Sequence, residues 1–163
     1  MPKLISGALA GLAATMAMTM AMRRLHAGLD RDNRYPLPPR EIIDRVGIAD
    51  NEPSARAHTL AEHFGFGALA GAIYALLPSR GSGAIYGISV WAFSYLGWIP
   101  ATGILAPAWR HPAQRSLLMI AVHIVWGVAL GGCLRELQAA EREVFGRATP
   151  RRMSSREMKE RAP

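Results

Sequence analysis

An uncharged run from Leu117 to Leu134 constrains the fold of this chain more than any other feature. It reads LLMIAVHIVWGVALGGCL and holds a single ionisable imidazole, that of His123. At about 1.5 Å of rise per residue, a helix of this length nearly crosses a bilayer core of about 30 Å. The run therefore predicts a transmembrane helix with one polar side chain inside it.

Three further stretches of the chain are apolar and nearly free of charge. Glycine and alanine are abundant inside them, although glycine is disfavoured in the helices of soluble proteins. Apolar blocks that arginines flank rather than interrupt are typical of membrane helices. We therefore predict an all-α fold, an integral membrane bundle of four transmembrane helices at about residues 4–22, 59–77, 83–105 and 116–134.

The remaining segments are polar. Residues 23–58 form a long loop, in which the apolar side chains of Arg40–Val46 recur at helical spacing and predict a short surface helix. Ser54 is the predicted N-cap of the second long helix. Residues 1–146 are then one transmembrane domain, and residues 147–163, which are basic and poor in apolar side chains, are predicted to be a disordered tail.

The third apolar run contains a proline, Pro100. Proline removes one helical hydrogen bond and crowds the preceding turn, so we expect the helix to bend or end there. Residues 101–107 are predicted to form a short non-helical return.

An internal repeat divides the chain into two similar halves. Ser6–Gly11 and Ser82–Gly87 both read S-G-A-[LI]-x-G, and each opens an apolar run. The following run carries H-x3-G-x3-G in both halves, beginning at His63 and at His123. We predict two similar helical hairpins that pack through small residues on facing helices. The predicted packing residues are Gly7, Gly11, Gly67, Gly71, Gly83, Gly87, Gly127 and Gly131.

Each histidine of the repeat shares a helix face with its two glycines, because steps of four drift by only about 40° around a helix. His63 and His123 are therefore predicted to point into the bundle. Three interpretations stay open: packing histidines bonded to neighbouring helices, a polar pocket, and bis-histidine ligation of a b-type haem. The predicted pocket consists of Glu62, His63, Tyr74, Tyr86 and His123. No cofactor or metal is predicted, and haem b is the alternative.

The sequence lacks the motifs of the common catalytic sites. There is no P-loop, no G-x-S-x-G, no H-E-x-x-H and no C-x-x-C. Cys133 is the single cysteine, which excludes an intramolecular disulfide and a thiolate metal cluster. Methionines at every second position from Met16 to Met22 fall on two helix faces, so a copper–thioether site is not expected. We therefore expect a non-enzymatic membrane component, either a scaffold or a small permeation or transport unit.

The net charge of +7 comes mostly from arginine. The arginines flank the apolar runs, which favours contact with anionic lipid headgroups over nucleic acid. The expected partners are the lipid bilayer and either a second copy of the chain or another membrane protein. Arg23 and Arg24 directly follow the first run and favour a cytoplasmic location for the loop 23–58.

Three segments together carry a family resemblance. They are L-P-P-R-E at Leu37–Glu41, H-F-G-F-G-A-L-A-G-A-I-Y at His63–Tyr74 and V-W-A-F-S-Y-L-G-W-I-P at Val90–Pro100. With the glycine-rich first run, they make the region from about Gly7 to Leu134 resemble the YagU-like small bacterial inner-membrane proteins and related domains of unknown function. The resemblance implies a four-span protein of the bacterial inner membrane. It implies no activity, cofactor or catalytic residue.

Overall fold

The computed structural model describes residues 2–29, 38–78, 81–144 and 146. Within these residues every regular element is a helix, which confirms the all-α prediction. The predicted tail at 147–163 and the central part of the long loop lie outside the described residues. The longer helices are α1 (Lys3–Ala27), α2 (Pro38–Val46), α3 (Glu52–Leu76), α4 (Gly83–Ala92) and α6 (Ala113–Val144). Short elements lie between the last two: a π-helical segment at Phe93–Trp98, α5 at Ile99–Ala101 and a 3-10 turn at Ala108–Arg110.

Of the described helices, α1 and α6 are long and apolar enough to cross a membrane, as judged by length and composition. Both extend beyond their apolar runs into charged sequence. Helix α3 also starts earlier than predicted, and the prediction of Ser54 as its N-cap is wrong. The cap is Asn51, whose side-chain oxygen accepts a hydrogen bond from the Ser54 backbone N–H at 2.9 Å. Pro53, in the first turn, needs no helical hydrogen-bond partner, so the helix can begin ahead of Ser54.

The third predicted span, 83–105, is not one regular helix. Its helical part ends at Ala101, and the backbone kinks at Gly97, where φ is −110° and ψ is −106°. Pro100 has no N–H to bond the carbonyl of Leu96, so the proline breaks the hydrogen-bond ladder one turn earlier than its own position. Glycine at 97 allows the backbone to absorb this break.

Helix α1 packs against α3 and α6, while α4 packs against α6 and α2 lies on α3. The first contact is made by glycines that let two backbones touch. A methyl group built at Gly7 would lie 2.6 Å from the carbonyl oxygen of Gly71, and one built at Gly11 would collide with the carbonyl of Gly67. Real Cβ atoms essentially never come within 3.0 Å of such atoms, so this interface requires glycine. The pairing runs in opposite chain directions, which makes α1 and α3 antiparallel.

Helices α4 and α6 make the equivalent contact, but in a different register. Gly83 lies against the backbone of Gly127, and Gly87 lies against the carbonyl of His123. By analogy with the first pair, Gly83 would have faced Gly131, where a built methyl group meets nothing closer than 3.4 Å. The second helix pair is therefore displaced by one turn, about 5.4 Å, relative to the first.

A side-chain difference gives a steric reason for this displacement. Thr15, one turn after Gly11, lies directly over Gly67 in the first pair. The residue one turn after Gly87 is Trp91, whose indole is too large to lie over a glycine in the same way.

The outside of the bundle is apolar on four helical segments. Large hydrophobic side chains are more than a third exposed on α1, on α3, on α4 with its π-helical extension, and on α6. Soluble monomers usually expose large apolar side chains singly rather than along several helices. The exposed apolar side chains of this bundle include Leu9, Met16, Phe66, Ile73, Ile85, Phe93, Leu117 and Val128.

Candidate functional site

A cavity of about 450 Å³ lies among α1, α3, α6 and the π-helical segment, with α2 on one side. Its size falls in the range of roughly 300–1,000 Å³ that is usual for small-molecule sites. Of the predicted pocket residues, the structure brings Glu62, His63 and His123 together in the lining of this cavity.

The His63 side chain is tied to α1. Its Nε2 lies 3.3 Å from Oγ1 of Thr19. The Thr19 hydroxyl donates its only proton to the Thr15 carbonyl at 2.8 Å. The Thr19 oxygen must therefore accept, and His63 Nε2–H is the donor. This imidazole contributes a contact between helices as well as a part of the cavity wall.

The His123 side chain is bonded to its own helix. Its Nδ1 lies 2.7 Å from the Met119 carbonyl, and since a carbonyl can only accept, Nδ1 carries a proton. The Nε2 atom of the neutral ring then keeps its lone pair. Nε2 has no hydrogen-bond partner among the described residues. His123, which lines the cavity, therefore has an acceptor that the described residues leave open.

The kinked segment after α4 supplies residues that the sequence analysis did not select. Ser94 and Tyr95 are both 6% exposed and line the cavity together with Trp98. The Ser94 hydroxyl is buried and has no partner among the described residues. Such an orphaned hydroxyl costs about 1–3 kcal/mol, and π-helical turns are frequent at functional sites. The sequence signal was a small hydroxyl within an uncharged run.

Tyr74 and Tyr86, which we predicted to belong to the same pocket, lie outside its lining. Their hydroxyls donate to the backbone carbonyls of Gly81 at 3.0 Å and Ala70 at 2.8 Å. Their ring centroids are 4.8 Å apart, and Tyr86 also stacks on Trp126. Tyr74 on α3 bonds to the backbone just ahead of α4, and Tyr86 on α4 bonds to the backbone of α3. The two tyrosines therefore hold α3 against α4.

Buried polar contacts also hold α1 to α6. The Thr15 hydroxyl donates to the Gly11 carbonyl at 2.8 Å and accepts from Trp126 Nε1 at 3.1 Å. Trp126 lines the cavity. This satisfied pair fixes the orientation of the indole in the cavity wall.

Helix α2 closes the cavity on the side of the long loop, through Pro38, Pro39 and Ile42. Two ion pairs hold it there. Glu41 contacts Arg115 at 2.5 Å at the start of α6, where the arginine side chain is only 7% exposed. Arg115 lies just ahead of the predicted fourth span, where its sequence position does not indicate a buried ion pair.

The second ion pair joins α2 to the start of α3. Arg40 donates to both carboxylate oxygens of Glu52, at 3.0 and 2.7 Å. These hydrogen bonds, with a further one from Arg56, lower the pKa of Glu52 from 4.5 to about 2. Bidentate contact of this kind fixes geometry as well as charge.

The opposite side of the cavity opens on the outside of the bundle. Phe66, Leu69 and Trp98 line the cavity and are also exposed. Met18 and Met22 are buried in the lining, whereas Met16 and Met20 are about half exposed, which confirms that the methionines divide between two faces.

The capacity of the site for metal follows from its donors. Within the described parts of the chain, no group of three or more His, Cys, Asp and Glu side chains could hold a metal ion. Of the two imidazoles, His123 has an open Nε2, and its Nδ1–H bonds a backbone carbonyl, as is usual for a histidine that ligates a metal through the other nitrogen. His63 would have to give up its contact with Thr19 to coordinate through Nε2.

Comparison of the chain with protein-family models, with curated proteins and with solved structures found no match. The resemblance to YagU-like proteins therefore stays a prediction.

Proposed function

We propose that this chain is a four-span protein of the bacterial inner membrane. In this proposal α3 and the kinked segment 83–101 accompany α1 and α6 across the bilayer. The support is the apolar exterior on all four segments, since lipid would cover side chains that water does not favour. The glycine contacts add support, because membrane helices associate through small residues.

We further propose that the bundle is a binding component without catalytic activity, and that the cavity holds a small, mostly apolar molecule. The observation that carries this proposal is the 450 Å³ cavity, in which two imidazoles, the Glu62 carboxylate and a serine interrupt an otherwise largely apolar wall. A few polar groups that converge in an apolar pocket are the usual composition of a small-molecule site. The exposed rim at Phe66, Leu69 and Trp98 would admit the molecule from the lipid phase.

Filling the cavity tests this proposal. Gly65 lines the cavity, and a methyl group built on it meets no atom within 4 Å, so Gly65→Phe adds a large side chain without a collision at its Cβ. Gly132 has the same free space but lies outside the lining, which makes Gly132→Phe a matched control. The assay is labelling by a diazirine-bearing long-chain alcohol, with cross-linked residues located by mass spectrometry.

We expect saturable labelling of the buried residues Met18 and Met119 in the wild type and in the control. We expect Gly65→Phe to abolish it while labelling of outward residues such as Leu9 persists. Equal labelling of the buried residues in both variants would refute the binding function.

The alternative function is a haem-binding electron carrier that uses His63 and His123. The observation in its favour is that both imidazoles line one cavity and that Nε2 of His123 is open. Purification after haem supplementation, followed by an absorption spectrum, separates the two functions. A Soret band that is lost in His123→Ala would favour haem over the apolar ligand.

A further inference from the structure

We propose that the cavity selects an uncharged amphiphile whose head group carries a hydroxyl, and that this hydroxyl donates a hydrogen bond to Nε2 of His123. The inference rests on the ligand-binding function proposed above and defines the chemical class of the ligand.

The protonation of the two His123 ring nitrogens determines which ligand group can pair with them. The ring proton is committed to the Met119 carbonyl through Nδ1, so Nε2 can only accept. A ligand carbonyl or ether also only accepts, so it would leave Nε2 of His123 without a partner. A hydroxyl can donate to this nitrogen, and in an apolar wall such a bond discriminates strongly against groups that cannot form it.

The Ser94 hydroxyl provides a second polar group that the described residues leave without a partner. It lies on a different segment from His123, is buried, and lines the same cavity. A serine hydroxyl both donates and accepts, so it can pair with the oxygen of a ligand hydroxyl or with a second polar atom of the head group. The ligand would thus satisfy two groups that the described chain leaves unpaired.

The charges in the cavity lining favour an uncharged head group. Among the residues that the structure describes, the cavity lining includes no lysine or arginine and one carboxylate, that of Glu62. An anionic head group, such as a fatty-acid carboxylate or a lipid phosphate, would be desolvated without a cation and would face a like charge. An uncharged head group avoids both costs.

The apolar part of the lining continues to the exposed rim of the cavity. Outside its polar groups the cavity is lined by side chains such as Met18, Met22 and Met119, and the exposed rim is formed by Phe66, Leu69 and Trp98. A hydrocarbon tail can occupy this lining and leave through the rim into the lipid phase. The arrangement fits an amphiphile better than a small polar solute.

Two photoprobes that differ only in the head group provide the test. Diazirine-bearing hexadecanol and hexadecanoate, with the diazirine on the same carbon, are added to the full chain in nanodiscs of a neutral lipid at about pH 8, where the carboxylate is ionised. Saturable labelling of Met18 and Met119 is measured with each probe. We expect the alcohol to label these residues about tenfold more efficiently than the carboxylate.

Two variants test the assigned atoms. His123→Phe keeps an aromatic ring but removes the acceptor. The alcohol concentration that gives half-maximal labelling should rise about five- to tenfold, as expected for the loss of one hydrogen bond. Ser94→Ala removes a hydroxyl that has no partner among the described residues, so it should weaken binding of the alcohol while leaving thermal stability unchanged or higher. A loss of alcohol binding without a loss of stability is not expected from a structural role.

The outcomes separate the two proposals. Equal labelling by both probes, or preference for the carboxylate, overturns the hydroxyl inference and leaves the apolar cavity as a binding site. Alcohol labelling that neither variant changes also overturns it. The absence of saturable cavity labelling by either probe overturns the binding function, and the hydroxyl inference with it.

Discussion

Gly71 and Gly131 are equivalent in the sequence repeat, yet alanine should have opposite effects at the two positions. A methyl group at Gly71 would lie 2.7 Å from the α-carbon of Gly11, whereas ordinary contact begins at 3.4 Å. Helices α1 and α3 would therefore have to separate by at least about 0.7 Å. At Gly131 the nearest atom is the end of the flexible Arg135 side chain, at 3.4 Å, and no rearrangement is required.

The magnitude follows from two terms. Alanine gains up to roughly 1 kcal/mol over glycine inside a helix, and this gain is common to both positions. Overpacking against a backbone that cannot retreat costs about 1–3 kcal/mol and applies to Gly71→Ala alone. The difference in unfolding free energy between the variants should thus be about 2 kcal/mol, a factor of about 30 in the unfolding equilibrium.

The assay is reversible unfolding in mixed micelles by titration with sodium dodecyl sulfate, followed by tryptophan fluorescence. Gly71→Ala should unfold at lower detergent fraction than the wild type, and Gly131→Ala at an equal or higher fraction. Equal destabilisation by both substitutions would show that the two helix pairs share one register and would refute the one-turn displacement.

Two further predictions concern polar contacts. Thr15→Val leaves the indole N–H of Trp126 buried without its acceptor and should lower the free energy of unfolding by about 1–3 kcal/mol. Trp126→Phe removes the indole N–H and leaves Thr15 bonded to Gly11, so it leaves no polar group unpaired and this part of the loss should be smaller. Mixed-micelle unfolding of the two variants and of their double mutant measures both effects. Because Arg40 and Arg56 lower the pKa of Glu52 to about 2, the attachment of α2 to α3 through Glu52 should be complete above about pH 4.5 and lost as the pH falls through 2. The protection of residues 38–46 against hydrogen exchange, measured relative to the intrinsic rate at each pH, should fall over that interval in the wild type. Glu52→Gln keeps the Glu41–Arg115 ion pair, so it should be less protected than the wild type at neutral pH and show a smaller fall.

The helices themselves were predictable because their signals are local. Three apolar runs produced one helix each, the third run is broken at Gly97, and the histidines and glycines of the repeat lie on inward faces. The start of α3 was missed because two capping residues, Asn51 and Ser54, lie close together, and a pattern does not show which hydroxyl or amide oxygen meets a backbone N–H.

The cavity was only partly predictable, because it depends on contacts between distant segments. The repeat identified His63 and His123, but periodicity carries no information about register, so the displacement of the second helix pair could not be read from it. The kink at Gly97, which accompanies the inward placement of Ser94, depends on a proline three residues later. Tyr74 and Tyr86 lie outside the lining, and their hydroxyls bond to backbone carbonyls of neighbouring segments, which residue spacing alone does not show.

The two imidazoles of the repeat have become chemically distinct. His63 holds a neighbouring helix through Thr19, whereas His123 is bonded only within its own helix. In the proposed function, a ligand that hydrogen-bonds to His123 would therefore bind and leave without breaking the contact between α1 and α3. Ligand occupancy would then not change the stability of the helix bundle.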